Sequence, residues 1–489
     1  MKIKMMTNKP MYIRLAVAGA LALSMQACSI PLLTTKKADA KLPEQFNNQS
    51  THNQAQSTEN TANVNWKDFF DDAYLPALID NAIANNKEVN IMAQRISMAK
   101  NEIQARRGEY LPFVSFGAGA EVEKVGRFTR NGAVEEGLEI KEGKAFPDPL
   151  PNYQFGLYSS WELDVWKKLR SATKVAGMEY MASIEGKNFL VTNLVAEIAN
   201  SYYELIALDN QLYNLEQNIK LQENALEVTK ELKKYARATS LAVKRFEAEV
   251  KKNQSRQYVI KQHQVELENR INFLLGRTPQ SIERSSAGFM EIKPKMIQAG
   301  VPAQLLENRP DIRKAELELA AADLNIQVAK ANFYPSFAIR AGVGFQAFNP
   351  RYLLNTPESL MYTLAGDMMA PVVNRNAITA LYKNANATQI QAAYDYEKTI
   401  INAYGEVANQ LSNIDNLEKN YQLKTTQVQA LTESIDVANQ LFKSARAEYL
   451  EILLTQREAL EARSELIETK QKQISAMVNL YRALGGGWK

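Results

Sequence analysis

VPAQLLENRPDIRKAELELAAADLNIQVAKANFYPSFAIRAGVGF, residues Val301–Phe345, is the stretch from which the fold can be read. Pro310 stands where a first-turn proline is tolerated, and Asp311 places a carboxylate near the positive end of the helix that follows. Ala315, Leu319, Ala322 and Ile326 recur at three- and four-residue steps, which makes one narrow, small-residue face apolar. Pro335 ends the helix. Beyond it Phe337, Ile339, Ala341, Val343 and Phe345 alternate with Ala338, Arg340, Gly342, Gly344 and Gln346. That period of two predicts a strand with one apolar and one mostly polar face.

The same grammar occurs earlier, where Ala99-Lys100-Asn101-Glu102-Ile103-Gln104 runs through Tyr110-Leu111-Pro112 into Phe113–Gly119. Setting Pro112 on Pro335 places Ala99 on Ala322, Ile103 on Ile326, Gln104 on Gln327, Tyr110 on Phe333 and Gly119 on Gly342. A helix–proline–strand unit therefore recurs at a spacing of 223 residues, and such repeats decide architecture before anything else does. The segments LLENRPDIRKAE (305–316) and AKANFYPS (329–336) resemble the TolC-type outer-membrane factor family, in its OprM-like lipoprotein branch. The resemblance runs from Trp66 to Trp488. It implies a mainly α fold with a small β part. Long coiled-coil helices would form a periplasmic α-barrel, and four β-strands per subunit would enter a trimeric, 12-stranded outer-membrane β-barrel, each subunit being two internal structural repeats. The function implied is a passive exit duct of a tripartite efflux system, docking on a periplasmic adaptor (membrane fusion) protein and an inner-membrane transporter.

The chain has 489 residues, 46% apolar and 23% charged, enough for a large ordered protein. Its formal charge of +4 lies in Lys2, Lys4, Lys9 and Arg14; without them the basic residues equal the 54 acids in number. No nucleic-acid partner is indicated. The basic start and the short apolar run Leu15–Leu23 read as a secretory signal, too short to span a membrane. Ser24-Met25-Gln26-Ala27-Cys28 resembles a lipoprotein cleavage site and contains the only cysteine, which can form no internal disulfide. Cys28 is thus the expected lipid-bearing first mature residue, with an acyl anchor in outer-membrane lipid. The stretch 34–64 is polar and poor in apolar residues, the composition of a tether.

The expected organisation is a lipoprotein signal peptide (1–27), a lipidated polar tether (28–64) and a first helix–strand–strand–helix repeat (65–275). An equatorial linker (276–300) and a second repeat (301–489) follow. Strands are expected at about 113–124, 152–164, 336–347 and 362–370. Val114, Phe116, Ala118, Ala120 and Val122 alternate with Ser115, Gly117, Gly119, Glu121 and Glu123. Four such strands are long enough to cross an outer membrane when tilted but too few to close a pore, and an open edge is forbidden in lipid. Closure therefore needs several copies, and three give the twelve strands of the family. Leu75–Tyr110 reads as helix. From 166 to 235 no proline interrupts a seam of Leu194, Ile198, Ser201, Leu205, Leu208, Leu212, Leu215, Ile219, Gln222, Leu226 and Thr229. Steps of four and three are a heptad seam, and about 70 helical residues extend roughly 105 Å. The segment 376–442 continues likewise through Leu417, Tyr421, Lys424, Val428, Leu431, Ile435, Ala438 and Phe442.

Each long helix ends in a turn and a returning helix, Ala236–Val243 and Ala445–Ile452, 209 residues apart. As the points farthest from the strands these are the expected adaptor contacts: Thr239, Ser240, Leu241, Arg446, Ala447 and Glu448. The family commonly has glycine where Ala236 and Ala445 stand, and alanine tolerates positive φ poorly. The family also narrows at its periplasmic end through acidic residues of the second long helix. Asp436 best matches that gate, with the neutral Asn439 one turn on. His52 and His263 have no second ligand at metal spacing, and no nucleophile motif, phosphate loop or dinucleotide fingerprint is present. The chain is therefore expected to be no enzyme and to need no cofactor or metal. Two alternatives are the outer-membrane duct of a type I protein secretion system and a structural coiled-coil lipoprotein.

Overall fold

A computed structural model describes residues 30–46, 60–292, 298–444 and 446–489. Cys28 and Ala445 lie outside the described residues. Helices α1 (Leu75–Asn85) and α2 (Lys87–Tyr110) lead into strand β1 (Phe113–Glu123). A short helix α3 (Arg130–Gly137) and a hairpin of β2 (Glu139–Lys141) and β3 (Lys144–Ala145) precede β4 (Leu150–Leu163). Helices α4 (Lys168–Lys234) and α5 (Ser240–Leu274) follow, then α6 (Pro310–Ala331), β5 (Ser336–Ala347), β6 (Leu360–Met369), α7 (Asn376–Lys443) and α8 (Tyr449–Ala483). The chain divides into two compact units. One comprises Ser97–Tyr180 and Leu317–Ala393 with the described residues up to Lys37; the other comprises Ala38–Ile96, Met181–Glu316 and Tyr394–Lys489. Among the described residues no helix is long and apolar enough to cross a membrane.

The first unit holds a four-stranded antiparallel sheet in the order β1-β4-β5-β6. Its register carries the alternation across all four strands: Phe116 pairs with Leu157, Leu157 with Val343, and Val343 with Tyr362. The apolar face bears an aromatic row, Phe116, Phe155 and Phe345, with centroids 6.4 and 5.4 Å apart. On the polar face Arg340 pairs with Asp367 at 3.1 Å, and Gln346 donates to Asn152 Oδ1 at 2.9 Å. Gly156 and Gly344 pair where a Cβ would lie 2.6 and 2.3 Å from backbone oxygens of the facing strand, so only glycine allows β4 and β5 that approach. At the foot of the sheet Trp166 stacks on Tyr334 at 4.7 Å and donates its indole N–H to Pro335 O at 2.7 Å. The connection between β1 and β4, polar in composition, is not plain loop. Thr129 caps α3 by accepting from Gly132 N, and β2 and β3 pair beyond it.

The second unit is helical. The predicted seam on α4 is its buried stripe: Leu194, Ile198, Ser201, Leu205, Leu215, Ile219, Gln222, Leu226 and Thr229 are all buried. Leu417, Tyr421, Lys424, Val428, Leu431, Ile435, Ala438 and Phe442 on α7 are each half-buried. The segment read as one helix from Leu75 to Tyr110 breaks at Asn86, whose Oδ1 accepts from Glu88 N and Val89 N while its Nδ2 donates to Leu274 O at 2.8 Å. Gly276, at φ +68, seats against Asn85 O, where a Cβ would come within 2.4 Å. Arg309, 5% exposed, is the hub of the opening motif. It grips Asp311 at 3.0 and 2.7 Å, Glu406 at 2.8 Å and Ala483 O at 2.8 Å. The motif thereby ties the start of α6 to α7 and to the end of α8.

The amino-terminal segment departs from its composition. Ile30 and Leu33 pack onto Ile326, Phe333 and Tyr382 in the first unit, and Gln389 brackets the Lys36 backbone, accepting from its N–H at 3.0 Å and donating to its carbonyl at 2.7 Å. In the second unit Asp39 N donates to Glu397, and Phe46 stacks on Tyr404 at 5.4 Å. A polar segment can be held this way because its backbone, not its side chains, supplies most of the bonds.

Candidate functional site

The turn after α4 is closed by its backbone. Arg237 N donates to Leu232 O at 2.9 Å and Ala236 N to Lys233 O at 3.0 Å, the pair of bonds of a Schellman cap. That cap requires a left-handed residue, and Ala236 adopts φ +57 to supply it. Thr239 then starts α5 as its N-cap, its Oγ1 accepting from Ala242 N at 3.1 Å. Ser240 is the first helical residue and is exposed, and Leu241 beside it is an apolar side chain left 58% exposed.

The second turn repeats the leading bond: Arg446 N donates to Leu441 O at 2.8 Å. Glu448 is the N-cap of α8 and, at φ −86 and ψ 154, is as extended as Thr239, but it makes no side-chain cap bond. Arg446 and Glu448 are exposed and Ala447 is half-buried. The two turns meet through their returning helices. Leu226, Phe246 and Val250 form a core on which Val243, Tyr449 and Leu453 pack, with Phe246 and Tyr449 centroids 6.4 Å apart. Thr239, Ser240, Leu241, Ala447 and Glu448 thus flank one small apolar cluster. Charge around it is laddered: Glu231 accepts from Lys234 and holds its ammonium above the ordinary value, while Lys244 holds the Glu247 carboxyl below its own.

Asp436 lies on α7 and is exposed, and Asn439 one turn on is half-buried. Ile435 and Ala438 beside them are half-buried, as their place in the seam requires. Among the described residues no group of three or more His, Cys, Asp or Glu side chains could hold a metal ion. Sequence reasoning missed three features. The Gln389 bracket has no motif to announce it. The capping difference between Thr239 and Glu448 was readable from residue type alone. The third is a buried amide layer, Gln222 with Asn253 and Gln456; Gln222 stood in the predicted seam as its one amide and was the signal.

The profile of the outer membrane efflux protein family matches residues 78–277 and 301–486. Among curated relatives, the pyoverdine export outer membrane protein OpmQ of Pseudomonas putida is 27% identical over 96% of both chains. The cation efflux system protein CusC of Escherichia coli is 26% identical, over 96% of this chain and 97% of its own. Among solved structures, the MtrE outer membrane channel of Neisseria gonorrhoeae superposes with a TM-score of 0.81 at 22% identity, covering 94% of this chain and 98% of that one. A structure of CusC gives 0.80 at 22% identity, over 94% and 99%. The likeness in fold covers the sheet and the long helices alike, and the profile spans most of the chain in two blocks: this chain belongs to the outer membrane efflux protein family.

Proposed function

We propose that the chain is one subunit of a trimeric exit duct in the outer membrane, passive in itself and driven by an inner-membrane transporter through a periplasmic adaptor. One observation carries the reading. The sheet has an apolar face and a polar face, and among the described residues its edge strands, β1 and β6, pair on one side only. In lipid those edges must pair, and pairing β1 of one copy with β6 of the next closes twelve strands from three chains. Exposed apolar residues along α7, among them Tyr394, Ile401, Leu423 and Val437, supply a face for neighbouring copies. The twofold match of the family profile supports reading the subunit as two structural repeats.

In this reading the two turns meet the adaptor, Asp436 and Asn439 line the narrow periplasmic end, and a lipid on Cys28 anchors the chain. Support for the anchor comes from Ile30, two residues after Cys28, which packs beside Phe333 just ahead of β5. The relatives are named for pyoverdine, toluene and cation export, and the pump rather than the duct would select among such cargoes. Purified protein in planar bilayers should give single-channel steps and a trimer mass. A folded, monomeric, non-conducting protein would overturn the duct in favour of a structural coiled-coil lipoprotein. Genetic pairing with a secretion ATPase, with polypeptide export lost on deletion, would instead favour type I secretion.

A further inference from the structure

The polar face of the sheet carries one large ring that a merely wet surface does not call for. Tyr158 on β4 is in register with Ser115 on β1 and Gly342 on β5. By the alternation of the strands it stands opposite the row of Phe116, Phe155 and Phe345, on the side of Gln154, Arg340 and Gln346. Around it this face is paved with small residues: Gly117, Gly156, Gly342, Gly344, Ser115 and Ser160. Glycine weakens a strand, so four of them in one patch need a cause. Gly156 and Gly344 have theirs in the close approach of β4 and β5. Gly117 and Gly342 have theirs in Tyr158.

A Cβ on Gly117 would lie 3.0 Å from Tyr158 Cε2 and 3.3 Å from Cδ2. One on Gly342 would lie 3.2 Å from Cδ1 and 3.5 Å from Cε1, with Thr363 Oγ1 at 3.0 Å on its other side. The ring therefore reaches over both neighbouring strands, one edge above each, in space that side chains there would fill. Ser115 turns its hydroxyl to the Tyr158 carbonyl, donating at 3.4 Å, and Arg340 is drawn away from β4 to Asp367 at 3.1 Å. Tyr158 is half-buried, as a ring with one face bedded and the other open must be. Phe113, 71% exposed and two residues before Ser115, is the next ring along this face. An open aromatic face in water attracts another aromatic plane, because apolar area leaves water and offset stacking gives the contact a direction. A ring held by its bed has little freedom left to lose on contact.

We propose that Tyr158 is a stacking site for planar aromatic solutes, set into the polar face of the sheet. The proposal rests on the duct reading for its setting alone: in the trimer the polar face lines the lumen, and three rings meet a passing solute at one depth. Flatness is what the site selects. A solute of the same charge without a flat face gains nothing from it.

The test is single-channel recording on purified full-length protein with proflavine, a flat tricyclic cation, and with tetraethylammonium, a cation that is not flat. Proflavine should produce brief current blockades and tetraethylammonium none. Tyr158→Leu should shorten the proflavine blockades at least fivefold, while Tyr158→Phe, which keeps the ring, should retain them. Gly342→Ala leaves the ring in place but crowds its edge, and should shorten them as well. Blockades that last as long in Tyr158→Leu and Gly342→Ala as in the parent protein overturn the site. So does a loss of thermal stability in Tyr158→Leu with blockades unchanged, which would assign the ring to shielding the glycine backbone. If no protein gives current steps, the duct reading fails by itself, and proflavine fluorescence anisotropy on the same proteins decides the site. Saturable binding kept in Tyr158→Phe and at least fivefold weaker in Tyr158→Leu upholds it; equal binding in both overturns it.

Discussion

At the scale of single residues, Ala236 holds a conformation that its side chain opposes. A left-handed backbone costs a non-glycine residue roughly 1–2 kcal/mol, and the turn accepts this because two carbonyls at the end of α4 would otherwise lose their partners. Ala236→Gly should therefore stabilise the turn by about 1 kcal/mol, seen as an approximately fivefold slower tryptic cut after Arg237 under native conditions. Ala238→Gly, two residues on, should not slow that cut. Glu448 presents the converse case. It occupies an N-cap without capping, so Glu448→Thr should add about 1 kcal/mol to α8, read as slower amide exchange in its first turn. Arg309 is a third kind of residue, a buried charge with every partner in place. Arg309→Ala should cost about 3–5 kcal/mol in denaturant unfolding because Asp311 and Glu406 lose their counter-charge. Arg309→Lys should recover only part of it, since an ammonium cannot repeat the fork.

At the scale of elements, what was legible in the sequence was periodicity and what was not was backbone satisfaction. The alternation of Val114–Val122 and Phe337–Phe345 reads directly as sheet faces, because a period of two leaves a side chain no third direction. The seam from Leu194 to Thr229 reads as a buried stripe for the same kind of reason. The break at Asn86 did not show, because the apolar steps continue across it and only the capping bonds of its side chain mark the end of one helix and the start of the next. Of the candidate site, residue type and spacing located the turns, but the apolar cluster of Phe246 and Tyr449 that joins them is a tertiary fact. The amino-terminal segment was illegible because its grip is on the main chain. Gln389→Ala should release that segment: both bonds to Lys36 go, and trypsin should cut after Lys36 and Lys37 at least several-fold faster. Gln389→Glu retains an acceptor for the Lys36 N–H and should fall between the two. Equal cleavage in all three proteins would mean that Ile30 and Leu33 hold the segment without Gln389.

At the scale of the whole molecule, the consequences of a residue depend on how many copies meet. One Asp436 on one chain is an exposed helical carboxylate with ample water, and its removal should change stability little. In the proposed trimer three copies approach the same axis. Like charges in a narrow passage repel unless cations collect there, so the ring should admit cations and hinder anions. Asn439, half-buried one turn on, contributes no further charge, so the ring rests on three carboxylates rather than six. Asp436→Ala should therefore lower cation selectivity, measured as a reversal potential moving toward zero across a salt gradient, and should raise conductance. Glu433→Ala supplies the control. Glu433 is exposed on the same helix and accepts from Gln429, so its loss alters the general charge of α7 by the same amount. A reversal potential shifted by Asp436→Ala and not by Glu433→Ala places the narrow passage at Asp436. Equal shifts would reduce Asp436 to one surface charge among many, and no shift in either would move the gate to another part of the chain.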